Sequence, residues 1–334
     1  MRNCRFGKVA GVAVAVLVAG CAIPALVQDD FWMHVIDMAL INALIGLGLN
    51  VILRTGQISL GHAAFMAVGA YVSAQLSLRA GVPLLFCFLI AGVSAGVLGG
   101  LLGRLILRLK GVYFVLFTFA LNEFGVLFAK NFKAITGGNN GITGIPSPTI
   151  PFLEKSLRDP GDYFYLALTT VVIAYFLIRL LYQSSFGRAM DAVRESEVLA
   201  ASTGYDPMKI KTMAFALGCA LAGLGGSLFA HFLLYISPFS FTFWQSVNFL
   251  LINIIGGTSS ILGPLIGALV LTPLPELLRD YVIWQQVLYG LLLMLFMRFL
   301  PDGITTLPVK VGRLFRSTGE RRVVLPPIAS KEQP

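Results

Sequence analysis

The chain is a succession of apolar runs, most of them long enough to cross a bilayer, and this limits its fold more than any motif does. A membrane-spanning helix needs about 20 mostly apolar residues. Runs of this kind occupy residues 9–27, 35–53, 57–78, 82–107, 112–129, 163–183, 212–235, 246–256, 260–278 and 282–299, about ten in all. Lipid offers the backbone no hydrogen bonds, so such runs close their own as helices. Barrel strands would alternate apolar and polar residues, and these runs do not. Only 12% of the residues are charged, against about 25% in a soluble domain. The expected fold is therefore all-α: a polytopic helical membrane protein with about ten spans, some short or broken, over residues 1–303. A basic tail, 304–334, follows.

Charge sets the orientation. Arg2–Lys8, Arg54, Arg104–Lys110, Arg179–Lys211 and Arg298–Lys331 hold most of the 25 Lys and Arg residues, and all fall on one side of the alternating spans. The positive-inside rule puts that side, and both termini, in the cytoplasm and the loop 130–162 on the outer face of the membrane. The net charge of +9 thus belongs to topology and gives no reason to invoke nucleic acid. Arg313, Arg316, Arg321 and Arg322 make the tail available to anionic lipid headgroups. The first run reads as an uncleaved span, although Val18-Ala19-Gly20-Cys21 also fits a lipobox.

One central segment breaks the apolar pattern. Phe186–Lys211 carries Arg188, Arg194, Lys209 and Lys211 beside Asp191, Glu195, Glu197 and Asp206, with apolar residues at Met190, Val193, Val198, Leu199 and Met208. That spacing predicts one or two short amphipathic helices, the first ending at Gly204 and the next opening at Pro207. A structured polar element of this length between spans is available to dock on another protein. The residues expected at that contact are Arg194, Glu195, Glu197, Val198, Leu199 and Gly204.

Other segments point to a path through the membrane. Thr136–Pro148 is dense in Gly, Asn and Pro, which make positive-φ turns, and its length suits a gate or docking lid. Leu49-Asn50-Val51-Ile52 up to Gly61 is echoed by Ile252-Asn253-Ile254-Ile255 up to Gly263; each joins an Asn-bearing apolar run to a Gly- and Ser-containing break. Broken helices at matching positions mark transporter pathways. His62 follows the first break, either capping it or lining the path. Glu123 stands out as an ionisable residue deep in a span, expected either to face the pathway or to brace helices with Asn122. The pathway candidates are Asn50, Gln57, Ser59, His62, Glu123 and Asn253. Two four-residue stripes, Gly92/Gly96/Gly100 and Gly218/Ala222/Gly226, are expected to pack helices closely.

Catalytic chemistry has little to work with. No GxxxxGK[ST] phosphate loop is present, and Gln57 replaces the first glycine of a nucleophile elbow at Gly56–Gly61. His34, His62 and His231 have no partners at metal-ligand spacing, and Cys4, Cys21, Cys87 and Cys219 follow no metal or disulfide spacing. No cluster of acid, base or nucleophile groups that an enzyme needs is found, and the chain is expected to carry no catalytic residues, metal or cofactor of its own.

Several stretches, in this order, resemble LivM-type permeases of branched-chain amino-acid ABC importers: GLNVILRTGQISLGHAAFMAVGAY (Gly48–Tyr71), LKGVYFVLFTFALNEF (Leu109–Phe124), TGGNNGITGIP (Thr136–Pro146), FGRAMDAVRESEVLAASTG (Phe186–Gly204), LAGLGGSLFAHFLLYISPFSF (Leu221–Phe241), GGTSSILGPLIGA (Gly256–Ala268) and LYGLLLMLFMRFLPDGI (Leu288–Ile304). The resemblance covers about residues 35–305. It implies an ABC-importer permease fold working with a second related permease, two cytoplasmic ABC ATPases that bind the ATP, and a periplasmic substrate-binding protein. It makes 186–211 the coupling segment, with the EAA…G coupling signature partly kept as Ala200, Ala201 and Gly204. The alternatives are a permease of the same family for urea or short amides, a proton-driven carrier using Glu123, and a non-transporting scaffold.

Overall fold

The computed structural model describes residues 24, 29–147, 159–278, 285–299 and 303–306. The expected first span with Cys4 and Cys21, residues 148–158 of the outer loop and the tail from 307 onward lie outside the described residues.

Two helices form the centre. Helix α1 (Asp30–Leu53) starts where the Asp29 carboxylate accepts the Phe31 amide, and it is apolar all round, as a helix buried on every side must be. Helix α9 (Pro207–Leu233) starts from Asp206, which accepts the Lys209 amide, with Pro207 in the first turn as its sequence predicts. Around them stand α2 (His62–Ala80), α3 (Leu84–Ile106), α4 (Val112–Asn131) and α6 (Pro160–Gln183). Among the described residues α1, α3, α4, α6 and α9 are long and apolar enough to cross a membrane. Of the other expected spans that fall within the described residues, α2 has 19 residues but is less apolar, and those after residue 243 are short helices, so the count of about ten was loose.

Small residues let the helices approach. Lipid supplies no hydrophobic force between helices, so packing contact decides the fit. The Gly92/Gly96/Gly100 stripe of α3 lies on α9: a Cβ on Gly96 would sit 3.0 Å from the Ala220 Cβ, and one on Gly92 would sit 2.5 Å from a Leu224 methyl. On another face of α9, Gly218 meets the Gly48 carbonyl of α1.

The outer loop is tied down. After α4 come the single-turn α5 (Lys133–Thr136), a 3-10 turn (Gly138–Asn140) and β1 (Ile142–Thr143). Gly137, Gly138, Gly141 and Gly144 all take positive φ, as the composition requires. Strand β1 pairs antiparallel with β2 (Tyr235–Ile236), with Ile142 opposite Ile236. His231 Nδ1 contacts the Pro146 carbonyl (3.1 Å), and its Nε2 meets Ser73 Oγ (3.0 Å).

The last third folds as a hairpin. Helix α10 (Phe243–Gly256) and α11 (Gly263–Leu271) run antiparallel: a Cβ on Gly256 would fall 1.8 Å from the Gly263 carbonyl oxygen, and one on Gly267 would fall 2.0 Å from that of Ile252. Helices α12 (Pro273–Leu277) and α13 (Gln285–Phe299) follow.

The segment after α6 differs from its sequence expectation. It forms α7 (Ser185–Glu195) and α8 (Glu197–Ser202), divided at Ser196 rather than ended at Gly204. Ser184 and Ser196 each cap a helix through the side-chain oxygen. Ser196 is extended (φ −160°), which turns α8 onto a new axis. A single apolar stripe therefore does not exist: Met190 and Val193 face the bundle, while Val198 and Leu199 face out.

Candidate functional site

The two helix breaks that echo each other in sequence meet in space. Asn50, in the last turn of α1, donates from Nδ2 to Asn253 Oδ1 (3.1 Å) and to the Thr258 carbonyl (3.1 Å). Asn253, near the end of α10, donates to the carbonyls of Gly46 and Phe249 (3.0 Å each). Both residues are fully buried, so each amide must find partners inside the protein.

The other pathway candidates gather around the first break, with one exception. Ser59 accepts the Gly61 amide (3.3 Å), and Leu60 N–H bonds Thr118 Oγ1 of α4 (3.1 Å). His62 opens α2 with Nε2 at 3.2 Å from the Ile45 carbonyl and its ring edge-on to Phe249. The Ala63 amide bonds Ser246 Oγ (2.9 Å), which in turn reaches Asn122 Oδ1 (3.3 Å). Gln57 is buried in the same turn. Asn50, His62 and Asn253 thus form one buried polar layer joining α1, α2 and α10, with Gln57 and Ser59 buried in the turn that leads into α2.

Glu123 stands apart from it. Asn122 turns inward to the Phe241 carbonyl (3.2 Å) and Ser246, not to Glu123, so the expected Asn122–Glu123 pair does not form. Adjacent residues on a helix point in different directions, which is why the two cannot share a site. Glu123 is half-buried, outside the layer. The carboxylate that is fully enclosed is Asp37 of α1, a residue the sequence reading passed over within a span. Among the described residues neither of its oxygens has a hydrogen-bond partner.

The end of the bundle that carries α7 and α8 has its own charge pattern. Arg54 sends Nε and Nη2 to the two oxygens of Asp191, each 2.7 Å away. Its guanidinium lies 3.9 Å from the centre of the Tyr182 ring, and the Tyr182 hydroxyl donates to Asn50 Oδ1 (3.0 Å). Sequence reasoning treated Arg54 only as a topological charge and missed Tyr182 and Asp191 as its partners; no motif marks them.

Glu197, expected at a partner contact, is instead held within the chain. It pairs with Lys211, whose side chain is only 2% exposed, and lies 3.5 Å from Lys110. Burial alone would raise its carboxyl, but the Lys211 and Lys110 ammonium groups outweigh this and hold it below the ordinary 4.5. Arg194 and Glu195 are exposed, and Gly204 takes φ +90° in an open turn. Val198 and Leu199 are 79% and 67% exposed beside these charges.

A bundle of apolar helices, five of them long and apolar enough to cross a membrane among the described residues, has the architecture of a polytopic helical membrane protein. The family model described as "Branched-chain amino acid transport system / permease component" matches residues 32–297, and the chain belongs to that family. It is 36% identical over 313 residues to the high-affinity branched-chain amino acid transport system permease protein LivM of Escherichia coli (strain K12), covering 87% of this chain and 73% of the relative. The LivM protein of Salmonella typhimurium is 35% identical over 331 residues, 92% of this chain and 77% of the relative. LivH from the same organism is 25% identical over 193 residues, 54% of this chain and 61% of the relative. No solved structure gives a significant match.

Proposed function

We propose that this chain is the membrane-spanning permease subunit of an ABC importer that carries branched-chain, or related aliphatic, amino acids inward. The observation that carries this reading is the LivM similarity over most of the chain. In this importer ATP is bound and hydrolysed by two cytoplasmic ATPase subunits, since this chain's sequence has no phosphate loop with which to hold it. A periplasmic binding protein delivers substrate, and a second permease of the LivH kind completes the membrane part; the shared similarity to LivH supports such a pairing.

In this reading the end bearing Arg54, Lys110, α7 and α8 faces the cytoplasm of a bacterial cell, in line with its positive charge. Val198 and Leu199 then lie outside the bilayer, uncovered by the described residues of their own chain. An apolar pair ringed by charges suits a groove on an ATPase subunit. The buried layer around Asn50 and Asn253 is where the translocation pathway is shaped, since polar backbone at membrane depth occurs only inside protein or along a cavity.

The test is uptake of labelled leucine by vesicles containing the complete complex. ATP-dependent uptake that needs the binding protein is expected. Uptake driven by a proton gradient without ATP, or transport of urea in place of leucine, would refute it.

A further inference from the structure

Five side chains connect α7 to the α10–α11 break without a gap. Asp191 of α7 holds Arg54 at both oxygens; Arg54 lies on the Tyr182 ring; Tyr182 bonds Asn50; and Asn50 bonds both Asn253 and the Thr258 carbonyl, just past the Gly257 turn. Each contact is directional. A guanidinium–carboxylate fork fixes orientation as well as distance, which an ammonium cannot do. Tyr182, Asn50 and Asn253 are buried, so water offers no substitute partners.

The two ends of this connection differ in tightness. At the α7 end, a Cβ on Gly56 would lie 3.7 Å from Arg194 Cγ, an ordinary van der Waals distance, so the turn after Arg54 borders α7 with room for a methyl. At the far end the break is clenched between backbones: a Cβ on Gly303 would fall 2.3 Å from the Gly257 Cα, and one on Gly263 would fall 2.1 Å from the Gly257 carbonyl oxygen. Close-packed elements of this kind shift between discrete arrangements rather than deform gradually.

We propose that Arg54, Tyr182 and Asn50 are positioning residues that carry a displacement of α7 to the α10–α11 break, so that movement imposed on the coupling segment reshapes the pathway at Asn253 and Thr258. This deepens the importer reading and rests on α7–α8 being the ATPase contact. Tyr182 is the informative link, because Phe keeps the ring beneath Arg54 and removes one hydroxyl.

The experiment measures leucine uptake, ATP hydrolysis stimulated by loaded binding protein, and melting temperature for the complete complex in vesicles. Tyr182→Phe is expected to leave assembly and stimulated hydrolysis intact, and to lower the melting temperature only by the small amount that the orphaned Asn50 oxygen costs. Leucine moved per ATP should fall roughly fivefold, the ratio to which one neutral hydrogen bond corresponds. Arg54→Lys, which keeps the charge but loses the fork, should lower the same ratio further. An unchanged ratio in both variants, or uptake falling only in step with melting temperature, would overturn the proposal. Val198→Asp separates the two levels. If it removes stimulated hydrolysis while Tyr182→Phe keeps the wild-type ratio, the docking reading stands and the link fails. If it leaves stimulation intact, the docking reading fails and the link falls with it.

Discussion

Gly69 of α2 and Gly223 of α9 touch backbone to backbone: a Cβ on Gly69 would lie 2.1 Å from the Gly223 carbonyl oxygen. No side-chain rotation relieves a clash with main chain. Gly69→Ala is therefore expected to separate the helices and cost at least about 2 kcal/mol, the middle of the range for overpacking. Gly290 in α13 meets nothing within 4 Å, so Gly290→Ala should be neutral or stabilising by up to about 1 kcal/mol through helix propensity. Melting temperatures of the two purified variants in detergent check the contrast; similar values would contradict the close approach.

The contact expected with an ATPase depends on apolar area rather than on charge. Val198 and Leu199 are exposed, whereas rim charges such as Glu195 contribute little to binding. Val198→Asp or Leu199→Asp should weaken the ATPase contact by about 2 kcal/mol, roughly thirtyfold, and lower uptake and stimulated hydrolysis together. Glu195→Ala should change either by less than about threefold. The amount of permease in the membrane should be equal in all three variants, because these side chains face away from the bundle. Full coupling in both Asp variants would remove α8 from the mechanism.

How much of this was legible beforehand follows from periodicity and separation. Apolar runs announce helices locally, so α1, α3, α4, α6 and α9 were readable, as was the positive φ of Gly137, Gly138, Gly141 and Gly144. The Asn50–Asn253 echo was visible as two similar segments, but a single sequence gives no sign that residues 203 apart bond each other. The division at Ser196 was missed because the residues flanking it all favour or tolerate helix. Its signal was the serine itself, followed one residue later by Glu197 and capping the Leu199 amide. Arg54 and Asp191 are ordinary charges until the fold brings them together.

The Glu197–Lys211 pair makes a pH-dependent brace. The folded carboxyl of Glu197 is held below 4.5, so its contribution is fully present above pH 4.5 and is lost as the pH falls through the folded value. Glu197→Gln leaves the almost fully buried Lys211 ammonium uncompensated. Because Glu197 itself is 33% exposed, the cost should be about 1–2 kcal/mol, below that of a wholly buried pair. Lys211→Met together with Glu197→Gln should recover most of it. Melting temperatures at pH 7 and pH 4 test this: the gap between wild type and Glu197→Gln should narrow in acid, and a gap that widens would exclude the pair as its source.

Orientation can be read with single cysteines. Glu195 is exposed beside the coupling helices and Asn140 is exposed in the opposite loop. In a background lacking native cysteines, Asn140→Cys should react with an impermeant thiol reagent in intact cells, and Glu195→Cys only after the membrane is opened. Ser196 is the poorer site, since its hydroxyl caps α8. Reaction of both from outside would reverse the cytoplasmic assignment of α7 and α8.

Asp37 is the costliest side chain in the bundle by physical reasoning. It is 0% exposed, and among the described residues no donor reaches either carboxyl oxygen. A polar group buried without a hydrogen bond costs about 1–3 kcal/mol by mutational measure, and a carboxylate more. Asn has the same shape and cannot carry charge, so Asp37→Asn should raise the melting temperature rather than lower it. Glu123→Gln provides the comparison: Glu123 is half-buried and already reaches the bundle surface, so its replacement should leave stability within about 0.5 kcal/mol. Uptake measured on the same samples then distinguishes use from tolerance. A stabilised Asp37→Asn complex that no longer moves leucine would mark Asp37 as a residue kept for transport despite its cost. A destabilised variant would mean that the carboxylate has a partner in the assembled complex, and the argument from its isolation would fail.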